Sequence, residues 1–283
     1  MTQPEVRLVA VGGGVDLHAL LWAGGERSPF LLVHGLSSNC RTWTAVAGRL
    51  HAAGHPVAAV DLRGHGRSDK PDEGYDFATL AADLATAADA LGLVRPIAAG
   101  QSTGGNVVVE LAYGSSSGTV PGAVGIDGGA IELSERWPRW EDCAAALAPP
   151  PLEGTPVADV EAWLRGAHPD WDDWGIEATL ANLEVRADGT VGPWLTRERH
   201  MQLLRALWEH RPSKLLAAVG VPVMLVHAQS SGGGPKPPHA SVSSPHVTVT
   251  SLVGDHDLHV QQPDTVARLL EEFASSVERG RTP

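Results

Sequence analysis

Short apolar runs alternate with segments of helical periodicity along the first half of the chain, and the alternation predicts strands and helices in turn. Residues 6–11 and 15–22 are apolar stretches separated by three glycines, which predicts an opening hairpin. Further strands are predicted at residues 30–33, 56–60, 97–100 and 120–126, and helices at residues 42–53, 77–91 and 106–113. This order is typical of an α/β fold, in which helices cover both faces of a mostly parallel sheet.

The pattern changes between residues 131 and 212, where strand-like runs are rare and seven of the nine tryptophans lie. Strand patterns return at residues 221–226 and 246–253, and an amphipathic helix is expected at residues 263–277. We therefore expect a core formed by residues 1–130 and 213–283, with residues 131–212 inserted as a helical cap. Residues 230–245 hold three glycines and four prolines, a composition that disfavours a helix between the last two strands.

The charge balance narrows the classes of partner. The formal net charge is -12, whereas nucleic acids and anionic membranes attract basic surfaces. The first residues lack a basic start followed by an apolar run, and no stretch approaches ~18 apolar residues. We expect a soluble cytoplasmic protein that acts on an apolar small molecule, with no nucleic-acid or membrane partner. The composition is compatible with a homo-oligomer.

The two cysteines, Cys40 and Cys143, are too few and too isolated for a disulfide framework or a zinc site. We expect two free thiols in a reducing compartment, with no metal and no cofactor.

A serine lies between two glycines in the sequence G-Q-S-T-G at residues 100–104, after an apolar strand pattern and before a helical one. Such a strand–turn–helix serine forms a nucleophile elbow, in which a strained turn raises the hydroxyl above the sheet and small neighbours relieve the crowding. Ser102 is therefore the candidate nucleophile.

Four motifs in order carry a wider resemblance: H-G at residues 34–35, D-L-R-G-H-G-R-S at 61–68, G-Q-S-T-G-G at 100–105, and G-D-H at 254–256. The chain resembles the α/β-hydrolase superfamily, in the branch of esterases, lactonases, carbon–carbon hydrolases, epoxide hydrolases and haloalkane dehalogenases. The resemblance implies an eight-stranded type of sheet, a cap over the serine, and a structural role for His65 and Ser68. The last two enzyme classes use an aspartate at the elbow, so Ser102 argues against them.

The resemblance also implies that the base follows the last strand, where His256 and His259 both lie. His256 stands seven residues before Pro263, which begins the last predicted helix, and this is the spacing usual in the family. We take His256 as the base and His259 as a pocket-lining or surface residue.

The acidic residue of the triad is harder to identify, because no Asp or Glu occurs from His227 through Gly254, where the family usually places it. The alternative family position is the end of the strand after the elbow helix, which here is Asp127, followed by two glycines. Asp127 is our candidate acid and Glu132 the second choice. Asp255 and Asp257 flank the base and are expected to cap the loop.

An acyl-transfer site also needs backbone N–H groups that bind the developing oxyanion. We expect these donors at Leu36 and Thr103, with Gly35 allowing the loop to fold over the elbow. His34 is expected to hydrogen-bond the loop backbone at the edge of the substrate site rather than to act as a second base.

A broad apolar wall for the substrate would come from the cap, although most of its tryptophans are expected to form the cap's own core. The assigned substrate-site residues are His34, Gly35, Trp137, Trp140, Trp163, Trp194 and His259. Together these features imply a serine hydrolase, an enzyme that cleaves an apolar carboxylic ester, lactone or thioester. The alternatives are a carbon–carbon hydrolase, a cofactor-free oxygenase on the same triad, and a ligand-binding protein with vestigial turnover.

Overall fold

The computed structural model describes residues 3–115, 118–229 and 244–280. Within these ranges lie ten strands, β1 (Glu5–Gly12), β2 (Val15–Trp22), β3 (Phe30–Val33), β4 (Val57–Val60), β5 (Ile97–Gln101), β6 (Ala123–Ile126), β7 (Leu183–Val185), β8 (Val191–Pro193), β9 (Val223–Gln229) and β10 (Val247–Val253). Eight of them form one sheet in the order β1-β2-β4-β3-β5-β6-β9-β10. From β4 onward in this order every neighbouring pair is parallel, while β1 and β2 are antiparallel to their neighbours. The predicted fold class is confirmed.

The helices described are α1 (Thr44–Ala52), α2 (Phe77–Ala90), α3 (Thr103–Gly114), α4 (Leu133–Arg136), α5 (Trp140–Ala146), α6 (Val157–Ala167), α7 (Asp173–Leu180), α8 (Arg197–Glu209), α9 (Pro212–Ala218), α10 (Leu258–Gln261) and α11 (Pro263–Glu278). A short 3-10 turn, Cys40–Trp43, precedes α1.

Two apolar layers cover the opposite faces of the sheet. Alternate residues of a strand point to opposite faces, and the buried strand β3 shows the division. Leu31 and Val33 pack in the layer that includes α2 and α3, while Phe30 and Leu32 pack in the layer that includes α1 and α11. This burial on both faces explains why β3 is a continuous apolar run rather than an alternating one.

Several elements begin at other residues than the pattern predicts. β6 and β9 begin after Pro121 and Pro222, because a proline lacks the N–H group that would pair with the neighbouring strand. The elbow helix α3 begins at Thr103, directly after the serine, rather than at the predicted residue 106.

The segment 131–212 contains α4 to α8 together with the antiparallel pair β7–β8, which the sequence did not predict. Each of these strands has only three residues, too few to produce a recognisable alternation. The Gly- and Pro-rich segment lies outside the described residues except for Ser244 and Pro245.

Both cysteines are free thiols, and both are buried. Across the described part of the chain, no helix combines the length and the apolar character needed to cross a bilayer.

A buried ion pair connects the loop that follows β4 with helix α2. Arg63 donates to both carboxylate oxygens of Asp83, at 2.6 and 2.7 Å, and both side chains are buried. A two-pronged contact of this kind stabilises a charge that burial would otherwise disfavour.

Asp83→Asn should lower the free energy of unfolding by about 3–5 kcal/mol, because it leaves the buried guanidinium uncompensated. Asp173→Asn is the matched control, since it removes the exposed partner of Arg165 and should change stability little. Urea denaturation measures both variants. Equal stabilities for the two would contradict the structural importance of the buried pair.

Candidate active site

The register of the parallel strands places Ser102 and Asp127 side by side. Gln101, the last residue of β5, pairs with Ile126, the last residue of β6, and Ile126 pairs in turn with Val226 of β9. Ser102 and Asp127 are therefore the first residues beyond two adjacent strand ends. This is the edge of an α/β sheet at which ligands usually bind.

Ser102 has the backbone conformation expected of a nucleophile elbow. Its φ of 52° and ψ of -123° lie in a region that is unfavourable for residues other than glycine. Holding a serine in this conformation costs about 1–3 kcal/mol. The turn is held by the Ser102 N–H, which donates to the Ile126 carbonyl oxygen at 2.9 Å. Gly104 must be a glycine, because a methyl group there would overlap the His34 carbonyl oxygen.

His256 and Asp127 form a short hydrogen bond. The distance from His256 Nδ1 to Asp127 Oδ2 is 2.6 Å, and the second carboxylate oxygen accepts from the Ala228 N–H at 2.9 Å. Asp127 is only 5% exposed, whereas the His256 side chain is half exposed. Because Nδ1 is bound to the carboxylate, Nε2 is the ring nitrogen left to exchange a proton with another group.

The carboxylates around His256 favour its protonated form. Desolvation of the ring lowers its pKa, but the hydrogen bond that the ring donates to Asp127 and the charges of Asp257, Asp127 and Asp255 outweigh this effect. The pKa of His256 is therefore raised above its ordinary value of 6.5.

The loop after β3 packs against the elbow. A methyl group on Gly35 would lie 3.1 Å from Ser102 Cβ and closer still to the Gln101 side chain. Leu36 follows and is half-buried, while Thr103 is buried at the first position of α3. The two expected oxyanion donors thus belong to segments that meet at Ser102.

His34 is fully buried and supports the loop backbone. Its Nδ1 lies 2.8 Å from the Gly35 carbonyl oxygen, and its Nε2 accepts from the Leu62 N–H at 3.0 Å. Burial lowers the pKa of His34, which suits a neutral ring that donates at one nitrogen and accepts at the other. No ring nitrogen remains for a substrate, so its placement among the substrate-binding residues is corrected to loop support.

His259 is also buried, and the surface alternative for it is wrong. Its ring lies 4.5 Å from the Trp43 ring in a tilted arrangement, and burial lowers the pKa of His259 to about 3. Neither ring nitrogen has a hydrogen-bond partner among the described residues.

The structure places the four assigned tryptophans in three different settings. Trp163 lies on α6 and is 65% exposed. Trp194 lines a cleft that neither Ser102 nor His256 lines, and the centre of its ring lies 4.9 Å from the Lys70 ammonium nitrogen. Trp137 and Trp140 pack against the core cluster and contact Trp208. Trp137 and Trp140 thus pack on the cluster that includes the sheet and α2, whereas Trp171 is buried in a separate cluster formed mainly by the segment 131–212.

Trp171 is a residue that the sequence reasoning missed. Its Nε1 donates to Asp255 Oδ2 at 3.0 Å, and the His168 ring stacks on it at 3.8 Å. The segment 131–212 thereby holds the residue next to His256. Gln101 adds a second restraint, because its amide donates to the His256 carbonyl oxygen at 3.1 Å.

Glu132, the second-choice acid, and Asp255, which precedes His256, have other partners. Glu132 is buried with Oε1 3.7 Å from Arg211 Nε, and Asp255 is bound by Trp171. Asp127 is thus the carboxylate that the structure places in hydrogen-bond contact with the His256 ring.

A model described as the alpha/beta hydrolase family matches residues 30–269, and the chain therefore belongs to that family. The chain is 34% identical to the non-heme chloroperoxidase of Streptomyces lividans over 116 residues. This aligned stretch covers 41% of this chain and 42% of that protein. The match thus spans less than half of the length of this curated relative.

Two solved structures share the fold. The chain is similar to E-2-(acetamidomethylene)succinate hydrolase, with a TM-score of 0.74 and 24% identity over 96% of this chain and 99% of that one. It is also similar to a thioesterase domain from the curacin biosynthetic pathway, with a TM-score of 0.74 and 21% identity over 95% of this chain and 100% of that one.

Asp127→Asn should lower the pKa of His256, because the substitution removes the Asp127 charge that offsets part of the desolvation of the ring. The ring should lose its proton at a lower pH than in the wild type. Titration of the imidazole resonances by NMR measures this shift, with Glu132→Gln as the control that leaves it unchanged. An unchanged His256 titration in Asp127→Asn would contradict the electrostatic role of this contact.

Proposed function

We propose that this chain is a serine hydrolase that cleaves an apolar carboxylic ester, lactone or thioester. Ser102 is the nucleophile, His256 the base and Asp127 the acid that orients the base. The observation that carries the proposal is the 2.6 Å contact between His256 Nδ1 and Asp127 Oδ2, beside the strained elbow of Ser102.

The proposed reaction begins when Ser102 Oγ attacks the carbonyl carbon and its proton passes to His256 Nε2. The Asp127 carboxylate stabilises the imidazolium through Nδ1 and keeps the ring in the required tautomer. The leaving group departs with the proton from His256, and an acyl group remains on Ser102. Water, deprotonated by His256, then attacks the acyl group and restores the free serine.

The backbone N–H groups of Leu36 and Thr103 would bind the oxyanion of each tetrahedral intermediate. The start of α3 adds the positive end of a helix dipole at Thr103. One donor of this kind contributes about 3–4 kcal/mol to lowering the barrier.

The apolar substrate class follows from the charge balance and from the absence of a cationic side chain among the residues proposed for the reaction.

The name of the Streptomyces relative favours one second activity, peroxide-dependent halogenation. The two activities separate in parallel assays, one with short-chain aryl esters and one with hydrogen peroxide and bromide. We expect turnover in the ester assay. Halogenation without ester hydrolysis would overturn the proposed function.

Ser102→Ala should reduce kcat on an aryl ester by about 10⁴-fold or more, because it removes the covalent step. Ser251→Ala is the control, since its hydroxyl lies on β10 and accepts from Gln229. Retention of kcat within about tenfold of wild type would rule out an acyl-enzyme on Ser102.

Asp127→Asn should reduce turnover by about 10⁴-fold with little change in stability, because asparagine keeps the shape but favours the wrong imidazole tautomer. Glu132→Gln and Asp257→Asn are the controls and should remain active. Steady-state kinetics together with thermal unfolding separate loss of chemistry from loss of folding. Ordinary turnover in Asp127→Asn would show that another group orients His256.

A further inference from the structure

Away from Ser102, the fold brings together a histidine, a cysteine and an aspartate from three separate segments. His18 lies on β2, Cys40 begins the 3-10 turn after β3, and Asp61 follows β4. All three side chains are buried, and one ligand atom from each lies within 4.8 Å of the other two. Cys40 is isolated in the sequence, but β2 and β4 are adjacent in the sheet and carry the other two members to it.

Two of these contacts converge on one ring nitrogen. His18 Nδ1 lies 2.9 Å from Asp61 Oδ2 and 3.7 Å from Cys40 Sγ. A Cys–His–Asp relay requires the thiol and the carboxylate on different ring nitrogens, so this arrangement does not activate Cys40 as a nucleophile. The three potential ligand atoms instead lie within 4.8 Å of one another, as the ligands of one metal ion do.

The spacings approach those of a tetrahedral zinc site. With Zn–N and Zn–O distances of about 2.0–2.1 Å and Zn–S of about 2.3 Å, ligand atoms lie about 3.3–3.6 Å apart. The contacts of 2.9 and 3.7 Å lie on either side of that range. Small side-chain rotations would adapt the three atoms to one ion.

The charges of the group also suit a cation. The Asp61 carboxylate is buried and accepts from the backbone N–H groups of Cys40 and Arg67, at 2.7 and 2.9 Å. The Asp61 Oδ2 atom lies 2.9 Å from His18 Nδ1. Within residues 3–115, 118–229 and 244–280, no lysine or arginine lies at salt-bridge distance from Asp61, and a buried carboxylate in that position would gain from a bound cation.

We infer that His18 Nδ1, Cys40 Sγ and Asp61 form a binding site for one zinc-like divalent cation. A thiolate and an imidazole select such an ion over Mg²⁺ or Ca²⁺, which prefer oxygen ligands. Binding releases one proton from the Cys40 thiol, while the His18 proton is carried on Nε2 and Nδ1 bonds to the metal. No oxidation or reduction is involved.

The fourth coordination position would open to a cleft of about 850 Å³ that all three residues line. Trp174 and Trp194 also line this cleft, whereas Ser102 and His256 do not. A water molecule or an anionic group could therefore complete the coordination without entering the proposed hydrolytic site.

Titration of chelator-treated full-length protein with Co²⁺ tests the inference. Wild type and the control Cys143→Ser should develop a thiolate-to-cobalt absorption band in the near ultraviolet that saturates at one ion per chain, and Zn²⁺ should abolish it. Cys40→Ser should lack the band, and His18→Gln should bind Co²⁺ at least about tenfold more weakly. Circular dichroism and ester hydrolysis check that each variant is folded.

A measurement on the wild type alone decides the matter if a variant does not fold. Equimolar Zn²⁺ should raise the thermal midpoint and release about one proton per chain, while Mg²⁺ should do neither. The inference is overturned if wild type shows no cobalt band, if Cys40→Ser retains it, or if Zn²⁺ leaves the midpoint unchanged. A cobalt band that is lost in Cys143→Ser but kept in Cys40→Ser would place the metal at Cys143, and this result would also overturn the inference.

Discussion

The carboxylate of Asp127 is held by two donors from different segments, and the arrangement of the site depends on this contact. One oxygen accepts from the His256 ring and the other from the Ala228 N–H of β9. Because β6 lies between β5 and β9, the residue that follows β6 connects the serine elbow to the loop that carries the histidine. The strand register therefore places Ser102 and Asp127 side by side, and the hydrogen bond from His256 Nδ1 to Asp127 brings the histidine to the same edge of the sheet.

The features that could be predicted from sequence are those that local physical chemistry determines. Buried strands read as apolar runs, as in Phe30–Val33, and a serine between glycines at a strand end predicts the strained turn found at Ser102. Asp127 could be selected because a parallel strand ends there and the usual position holds no carboxylate. Its hydrogen bond to His256 follows from the fold once the strand order is known.

The features that could not be predicted depend on contacts between distant segments. Burial of Trp171 against Asp255, exposure of Trp163 and the grouping of Cys40 with His18 and Asp61 all arise from the packing of elements far apart in sequence. Residue type alone cannot distinguish a tryptophan in the core of a cap from one at a site, since both bury apolar surface. Element boundaries were displaced for a local reason, because prolines delay the strands that follow them.

The most direct test of the account is covalent labelling with a fluorophosphonate, followed by peptide mapping. Such a reagent reacts with a serine only when a base activates it and an oxyanion site stabilises the adduct, so it reports the whole arrangement at once. The account predicts a single adduct on Ser102, formed far more slowly when Asp127 is replaced by asparagine. Labelling at another serine, or no labelling of a folded protein, would contradict it.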